Sequence, residues 1–507
     1  MIKMIQFLSR NQVMSTSVET RVVKRGILIL QFFLVVALGQ ALELGGLKKK
    51  AEKGDKVAQF QLAYIYEYGG EKRSELDASY RWSLHTYGKR DVKIINETMQ
   101  LARTINVEEN LEKALEWYRK SSNQGLALAQ DALGSLLGES ANGDEEKIKE
   151  AIKWLTKAAK KKYAVAQNGL GVIYSGGMGV PMDYELAKSW YLKSANQGYA
   201  TAQSNLSNLY MIGTNLGKIP FDRTKMATVK ELSEVEGVDF KEAVRWLRAA
   251  ANQGYTDAQI NLGGLYLEGK GVERDVEQGI SLIRKAADQD EPLAQFNMGW
   301  LFFEGVAIEQ DYKKALMWFN KSAQNGWGGG QLWAGKLLVT GAGVEKDTAK
   351  GFEWLLKAAE QGLVGAQHDV SICYFNGIGV EESLTEGVKW SRAAAENGHS
   401  DSQNTLAQLL YHGQGVKRNR SEALKWFKES AESGVVHSQY MLGGSLFHGE
   451  GIEKDFAEAF KWLTLAGEFH EGARKELSNL NAEISPEQMA EGLKRVDEYK
   501  NARGGLR

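Results

Sequence analysis

The side chains best equipped for metal or nucleophilic chemistry are few: His85, His368, His399, His412, His437, His448, His470 and the lone Cys373. A catalytic zinc site needs three protein ligands converging at about 2 Å on one ion, and the chain has no His-Glu-x-x-His pair to begin one. His412 and His448 lie 36 residues apart; stacked as equivalent positions of neighbouring helices they would be about 10 Å apart at the backbone. The histidines therefore read as surface groups at the C-terminal ends of helices, where a cation suits the dipole. Cys373 occupies a place that other copies of the same pattern fill with Ile173, Leu209, Leu265, Leu301, Leu337 or Leu409, so it reads as core rather than as a nucleophile. No Gly-x-Ser-x-Gly elbow is present. Gly-x-Gly turns recur, as at Gly269/Gly271 and Gly377/Gly379. A phosphate cradle follows a strand and opens a helix, whereas these turns follow helical segments. The expectation is a protein without enzymatic activity, metal or cofactor.

What positions all of these residues is a repeat. A Gln recurs as Gln59, Gln130, Gln167, Gln203, Gln259, Gln295, Gln331, Gln367, Gln403 and Gln439, and from Gln259 onward every interval is 36 residues. The wider early spacing leaves room for a degenerate copy near 88–122 and an insertion at 214–239. Around Gln259, the residues Ala258, Leu262 and Tyr266 form one apolar ridge at helical spacing, with Gly263 between them to admit a partner helix. After the Gly turn a second helix begins at a capping residue, as in Ser383/Glu386, Asn419/Glu422 and Asp455/Glu458. A core Trp recurs at its centre: Trp82, Trp117, Trp154, Trp190, Trp246, Trp318, Trp354, Trp390, Trp426 and Trp462. Gly125, Gly198, Gly254, Gly326, Gly362, Gly398 and Gly434 close it. The fold expected is an all-α, right-handed α/α superhelical solenoid of about eleven two-helix repeats over 42–466, with a helical cap over 467–507 opened by Ser485-Pro486.

On each first helix, the positions one, five and eight residues after the Gln point away from the ridge. In the second to fourth copies they are mostly small or polar, as in Asp131, Ser135, Asn168 and Ser204. Later they turn apolar: Ile260, Leu267, Phe296, Trp300, Phe303, Leu332, Val339, Phe375, Tyr411, Tyr440 and Phe447, with Trp333 beside them. Trp300 and Trp333 have no counterpart in the repeat pattern. Aromatic anchors in a groove suit an extended or helical peptide; tight curvature that buries them between neighbouring repeats would produce the same pattern. The insertion at 214–239 reads as a tolerated loop or a second contact element.

The string Ala-Gln-x-x-Leu-Gly-x-x-Tyr, the Gly-x-Gly-Val turn and the later Ala-x-x-Trp resemble the Sel-1-like repeat, a relative of the tetratricopeptide repeat, over about 48–466. The resemblance implies a protein-binding scaffold or adaptor. Exported bacterial members are linked with envelope regulation, polysaccharide assembly and host interaction, so a secreted host-directed effector is a further implication. A Cys-rich branch is linked with β-lactam binding or hydrolysis, which implies as an alternative an envelope enzyme or binder of peptidoglycan- or β-lactam-like ligands; a chain with one cysteine lacks the disulfide of that branch.

Composition agrees. Gly is common at 55 residues while Pro is rare at 4, so glycine punctuates regular structure. Lys+Arg 63 against Asp+Glu 64 gives a net charge of -1, which excludes nucleic acid as the main partner. Arg21, Lys24 and Arg25 precede an apolar run from Ile27 to Leu38, followed by Gly39-Gln40-Ala41. This is the layout of a signal peptide at 1–41, cut after Ala41, with Met14 as an alternative start. Twelve apolar residues are too short for a helix to cross about 30 Å of hydrocarbon. A periplasmic or secreted protein with no membrane span after cleavage is expected.

Overall fold

The computed structural model describes residues 42–68, 89–105, 109–212, 238–305 and 307–504. The expected signal peptide, Trp82, His85 and nearly all of the insertion lie outside the described residues. Every regular element among the described residues is a helix, and the array divides into two compact units at Asp275/Val276.

Unit 1 holds α1 (42–52), α2 (Lys56–Tyr68), α3 (Lys89–Thr104), α4 (Leu111–Asn123), α5 (Ala127–Glu139), α6 (Glu145–Lys160), α7 (Ala164–Gly176), α8 (Tyr184–Ala195), α9 (Ala200–Ile212), α10 (Phe240–Ala251) and α11 (Thr256–Glu268). Unit 2 holds α12 (Val276–Ala287), α13 (Pro292–Glu304), α14 (Tyr312–Gln324), α15 (Gly328–Thr340), α16 (Thr348–Glu360), α17 (Val364–Asn376), α18 (Leu384–Glu396), α19 (Ser400–His412), α20 (Arg420–Glu432), α21 (Val436–His448), α22 (Phe456–Gly467), α23 (Glu471–Asn481) and α24 (Pro486–Gly504).

Each hairpin is built from the same local chemistry. First helices end on a left-handed glycine: Gly177, Gly269, Gly341, Gly377, Gly413 and Gly449 all have positive φ, which a side chain adopts only with strain. The chain then returns to a capping residue whose side chain accepts from a backbone N–H of the second helix, as Asp183 does from Leu186, Asp347 from Lys350 and Ser383 from Glu386. Asn419 adds a side-chain bond to its cap, donating from Nδ2 to Glu422 Oε2 at 3.0 Å. The glycine four residues after the Gln sets the distance between paired helices. A Cβ on Gly171 would lie 2.5 Å from Tyr191, and one on Gly335 would lie 2.7 Å from Leu355 and 2.9 Å from the Gly351 carbonyl.

The repeating Gln is a hydrogen-bonding hinge pin. Its Nε2 donates to the carbonyl eight residues earlier, at the end of the preceding second helix: Gln59 to Ala51 at 2.9 Å, Gln167 to Ala159 at 3.1 Å, Gln403 to Ala395 at 3.2 Å. Its Oε1 then accepts from an amide or amine at the end of its own repeat's second helix. The donors are Gln197 to Gln167 (2.7 Å), Asn325 to Gln295 (2.9 Å), Gln361 to Gln331 (2.9 Å) and Lys161 to Gln130 (3.1 Å). The ladder satisfies buried carbonyls at helix C-termini that would otherwise go unpaired. In unit 2 it breaks at Gln403. At the place of these donors stands Ser433, and Gln403 Oε1 is buried without a partner. Ser433→Gln is expected to restore the rung and raise stability by about 1 kcal/mol, read as an upward shift of the urea midpoint; an unchanged midpoint would leave the ladder without energetic weight.

The recurrent Trp is only partly a core residue. Trp154, Trp246, Trp318 and Trp462 are buried, whereas Trp117, Trp190, Trp354, Trp390 and Trp426 are half-buried. A lysine three residues on caps the ring face: Lys120 over Trp117 at 4.0 Å, Lys157 over Trp154 at 3.8 Å, Lys193 over Trp190 at 3.9 Å and Lys357 over Trp354 at 4.6 Å. These Trp residues are therefore occupied by their own chain.

At the C-terminus α23 and α24 pack on α22. Trp462 and Tyr499 meet edge to face at 5.5 Å, and Gln439 Nε2 donates to the Tyr499 hydroxyl at 3.3 Å. Arg495 is held at 2.8 Å by Glu458 and at 3.0 Å by Glu491.

Candidate binding site on the first helices of unit 2

On α13, Phe296, Trp300 and Phe303 recur at the spacing that puts side chains on one helical face. Their rings follow one another, with centroids 6.2 Å apart from Phe296 to Trp300 and 5.4 Å from Trp300 to Phe303. Trp333 on α15, the next first helix, meets Trp300 edge-on at 4.9 Å and Phe303 at 5.0 Å. Underneath lies Phe319 of α14, fully buried, 5.6 Å from Phe296 and 6.4 Å from Trp333. Tyr312, the first residue of α14, closes one side at 5.5 Å from Phe303.

Two glycines permit this arrangement. A Cβ on Gly299 would lie 2.6 Å from Phe319, so only glycine lets α14 bring that ring beneath α13. A Cβ on Gly329 would lie 2.8 Å from Trp327 Nε1 and 3.3 Å from Phe296. Trp327 thus folds over Gly329 toward Phe296, and it is 41% exposed, among the most open large apolar residues of the unit. Phe296, Trp300, Phe303 and Trp333 are half-buried: Phe296, Phe303 and Trp333 pack on Phe319, and Trp300 packs on those three rings. The charges at the border are matched, since Lys336 sits 5.6 Å over Trp333 and 3.2 Å from Asp369.

Of the twelve positions singled out from the sequence, four therefore form one patch. Ile260 and Phe447 are buried at 8% and 3% exposure, so for these two the burial explanation holds. Leu267 is half-buried and belongs to unit 1. Leu332 and Val339 pack partly into the core around Phe352 and Leu355. Phe375 is pressed on Gly387, where a Cβ would come within 2.2 Å of its ring. Tyr411 is committed to its own chain, donating to Glu450 at 2.6 Å with Arg420 4.9 Å over its ring. Tyr440 stacks on His470 at 4.3 Å. Tyr312 and Trp327 join the patch without having been selected. The signal for Trp327 was present in its register, four residues before the Gln, where earlier repeats carry Tyr163, Tyr199 and Tyr255.

On α5, α7 and α9 of unit 1 the same face is mostly polar. Asn168 Oδ1 accepts from Asn205 at 3.0 Å, and Ser204 is buried. Asp131 is buried with its Oδ1 unpartnered, and burial alone raises its carboxyl to about 7.

The histidines fall in two groups. His412 and His448 are exposed at helix C-termini, as expected, and His448 meets Glu476 at 3.1 Å. His368, His399, His437 and His470 are instead half-buried between successive first helices. Among the described residues no three His, Cys, Asp or Glu side chains are placed to hold a metal ion. Cys373 is 2% exposed, and burial pushes its thiol up to about 11, so it is not poised as a nucleophile. Among the described residues no helix is long and apolar enough to cross a membrane.

Comparison with known proteins agrees with the geometry. The Sel1 repeat family matches eleven segments: residues 56–83, 103–126, 127–163, 164–199, 233–255, 256–291, 292–327, 330–363, 364–399, 400–435 and 436–468. A protective antigen present in uropathogenic Escherichia coli strains, which displays the same repeat fold, is 28% identical, with a TM-score of 0.55 over 90% of this chain and 94% of that one. A Sel1 repeat protein from Oxalobacter formigenes is 27% identical, with a TM-score of 0.48 over 65% of this chain and 90% of that one. No curated protein matches this chain. Eleven matched repeats, the hairpin geometry and the shared glycine turns place the chain in the Sel1 repeat family of α-solenoid proteins.

Proposed function

We propose that this chain is a non-catalytic scaffold of the bacterial cell envelope that binds a protein partner through the aromatic patch of unit 2. The observation that carries this reading is the placement of Trp300 and Trp333. Neither occupies a position the repeat uses for packing, and together with Phe296, Phe303 and Trp327 they present ring edges to solvent on adjacent first helices. Aromatic clusters seated on a rigid base and left partly open are the usual energetic centres of protein interfaces. The matched border charges favour a partner segment that is itself apolar, extended or helical. Likeness to a protective antigen supports an exported location. The signal-like sequence of 1–41 supports it too, and fractionation of cells into cytoplasm, periplasm and medium tests that part.

The binding part is tested with peptides selected from a displayed random library against the full chain. Trp300→Ala is expected to weaken the selected peptides about 30-fold, the equivalent of a 2 kcal/mol hot spot, with an unchanged helical circular dichroism signal. Peptides that bind Trp300→Ala as well as the parent would contradict the reading.

A further inference from the structure

Most first helices here start without a side-chain cap. Leu126, Tyr163, Tyr255, Glu291, Trp327, Leu363 and Val435 stand at the N-cap and none accepts a hydrogen bond from its helix. Two junctions of unit 2 differ. At α19 the cap is His399, whose Nδ1 accepts from the Ser402 N–H at 3.2 Å. At α23 it is His470, whose Nδ1 accepts from the Ala473 N–H at 3.2 Å. Ser402 and Ala473 are both fully buried, so each imidazole is the acceptor for a backbone donor that water does not reach.

Each capping imidazole also lies against the first helix of the preceding repeat. His399 stacks on His368 of α17 with centroids 4.2 Å apart and planes at 27°. The Ser402 hydroxyl lies between the two rings, 2.8 Å from His368 Nδ1 and 3.2 Å from His399 Nδ1. His470 stacks on Tyr440 of α21 at 4.3 Å, with His437 of the same helix 6.0 Å away. The same imidazole thus starts one helix and glues it to the previous one.

We propose that these two junctions are acid-operated latches, in which protonation of the histidine pairs His368/His399 and His437/His470 frees the starts of α19 and α23 from the preceding repeats. A protonated Nδ1 donates and no longer accepts. The Ser402 and Ala473 amides then lose their partner inside the protein, a positive charge stands at the positive end of a helix dipole, and at His399 a second imidazole is stacked on it. The groups facing the first pair are Asp401 on α19, Asp369 on α17 and Lys336 on α15, the last two paired with each other at 3.2 Å. Facing the second are His437 and Tyr440 on α21 and Glu471 beside His470 on its own helix. Burial first, then the facing histidine, hold the partner rings His368 and His437 in the neutral form. A base whose proton affinity falls on folding makes the folded state lose stability as pH drops through its unfolded value of about 6.5. The window is therefore mildly acidic, between about pH 7 and 5.

Hydrogen exchange of the full chain at pH 7.4 and 5.5, corrected for intrinsic chemical rates, reads the latches. Protection across 400–412 and 471–481 is expected to fall at least tenfold at pH 5.5, while 328–340, which starts at Trp327 without an imidazole, keeps its protection. His399→Asn with His470→Asn keeps a capping acceptor that does not titrate, and the acid-induced loss should then shrink to the part that His368 and His437 contribute alone; Ser at both positions should behave alike. Equal protection of the parent chain at the two pH values overturns the proposal, as does an acid-induced loss of undiminished size in both double variants. None of this depends on the aromatic patch binding a peptide.

Discussion

Replacing Phe319 by Ala should unfold the central repeats of unit 2, at a cost of about 3–5 kcal/mol. Phe319 is fully buried, and it underlies Phe296, Phe303 and Trp333 at 5.6, 6.5 and 6.4 Å. Gly299 exists in the form of a glycine because of this ring. Removing the ring leaves a cavity of phenyl size beneath three aromatic side chains, and the helix backbones on either side are fixed by the Gln rungs from Gln295 and Gln331. Little collapse is available to fill it. Trp300→Ala, by contrast, removes a half-buried ring from the outer layer and should cost far less stability. The contrast separates the base of the patch from its working surface: urea melts of both variants should show a large loss for Phe319→Ala and a small one for Trp300→Ala. Comparable losses would mean that the outer rings are ordinary core.

The second large effect concerns Asp131 and has the opposite sign. Its carboxyl is raised from an ordinary value of 3.8 to about 7 by burial, with Oδ1 unpartnered. Between about pH 4 and pH 7 the folded state holds a proton that the unfolded chain has given up, so stability falls as pH rises across that window. Above pH 7 a buried, uncompensated charge remains, worth up to about 4 kcal/mol by linkage. Asp131→Asn should therefore stabilise unit 1 at pH 8 and have little effect at pH 4. Hydrogen exchange over 127–139 at the two pH values measures it. Glu67 adds to the trend, its carboxyl also raised to about 7, mainly by desolvation. Acidification is thus expected to tighten unit 1 and loosen the histidine junctions of unit 2. Equal pH responses of the two units would contradict both assignments.

The repeat was legible in the sequence because its signals are local and redundant. Gln259, Gly263, Tyr266 and the Gly269/Gly271 turn each announce the same hairpin, and a fault in one copy is corrected by the next. The candidate site was legible only in part. Helical register identified the stripe through Phe296, Trp300 and Phe303, since one face of one helix follows from spacing alone. Whether a stripe residue is open or buried depends on what the next repeat brings against it. Phe447 is covered by Phe456 at 6.0 Å and Tyr411 is claimed by Glu450, and neither contact has a signature in the stripe itself. Trp327 was missed because it precedes its helix. Two of the half-buried histidines were misjudged for the same reason: His399 and His470 lie at N-caps, where the other first helices of unit 2 use no side-chain cap. The recurring Gln marked the repeat plainly, but its hydrogen bonds to Ala395 or to Gln197 depend on side-chain direction, which spacing does not supply.

The central claim is that partner binding is centred on the rings of α13 and α15. Photo-crosslinking tests it most directly: a library-selected peptide carrying a diazirine is irradiated on the full chain and the adducts are located by mass spectrometry. Adducts should concentrate on residues 296–303 and 327–333. Adducts concentrated on the Lys-capped Trp residues of the second helices, such as Trp318 and Trp354, would contradict the account.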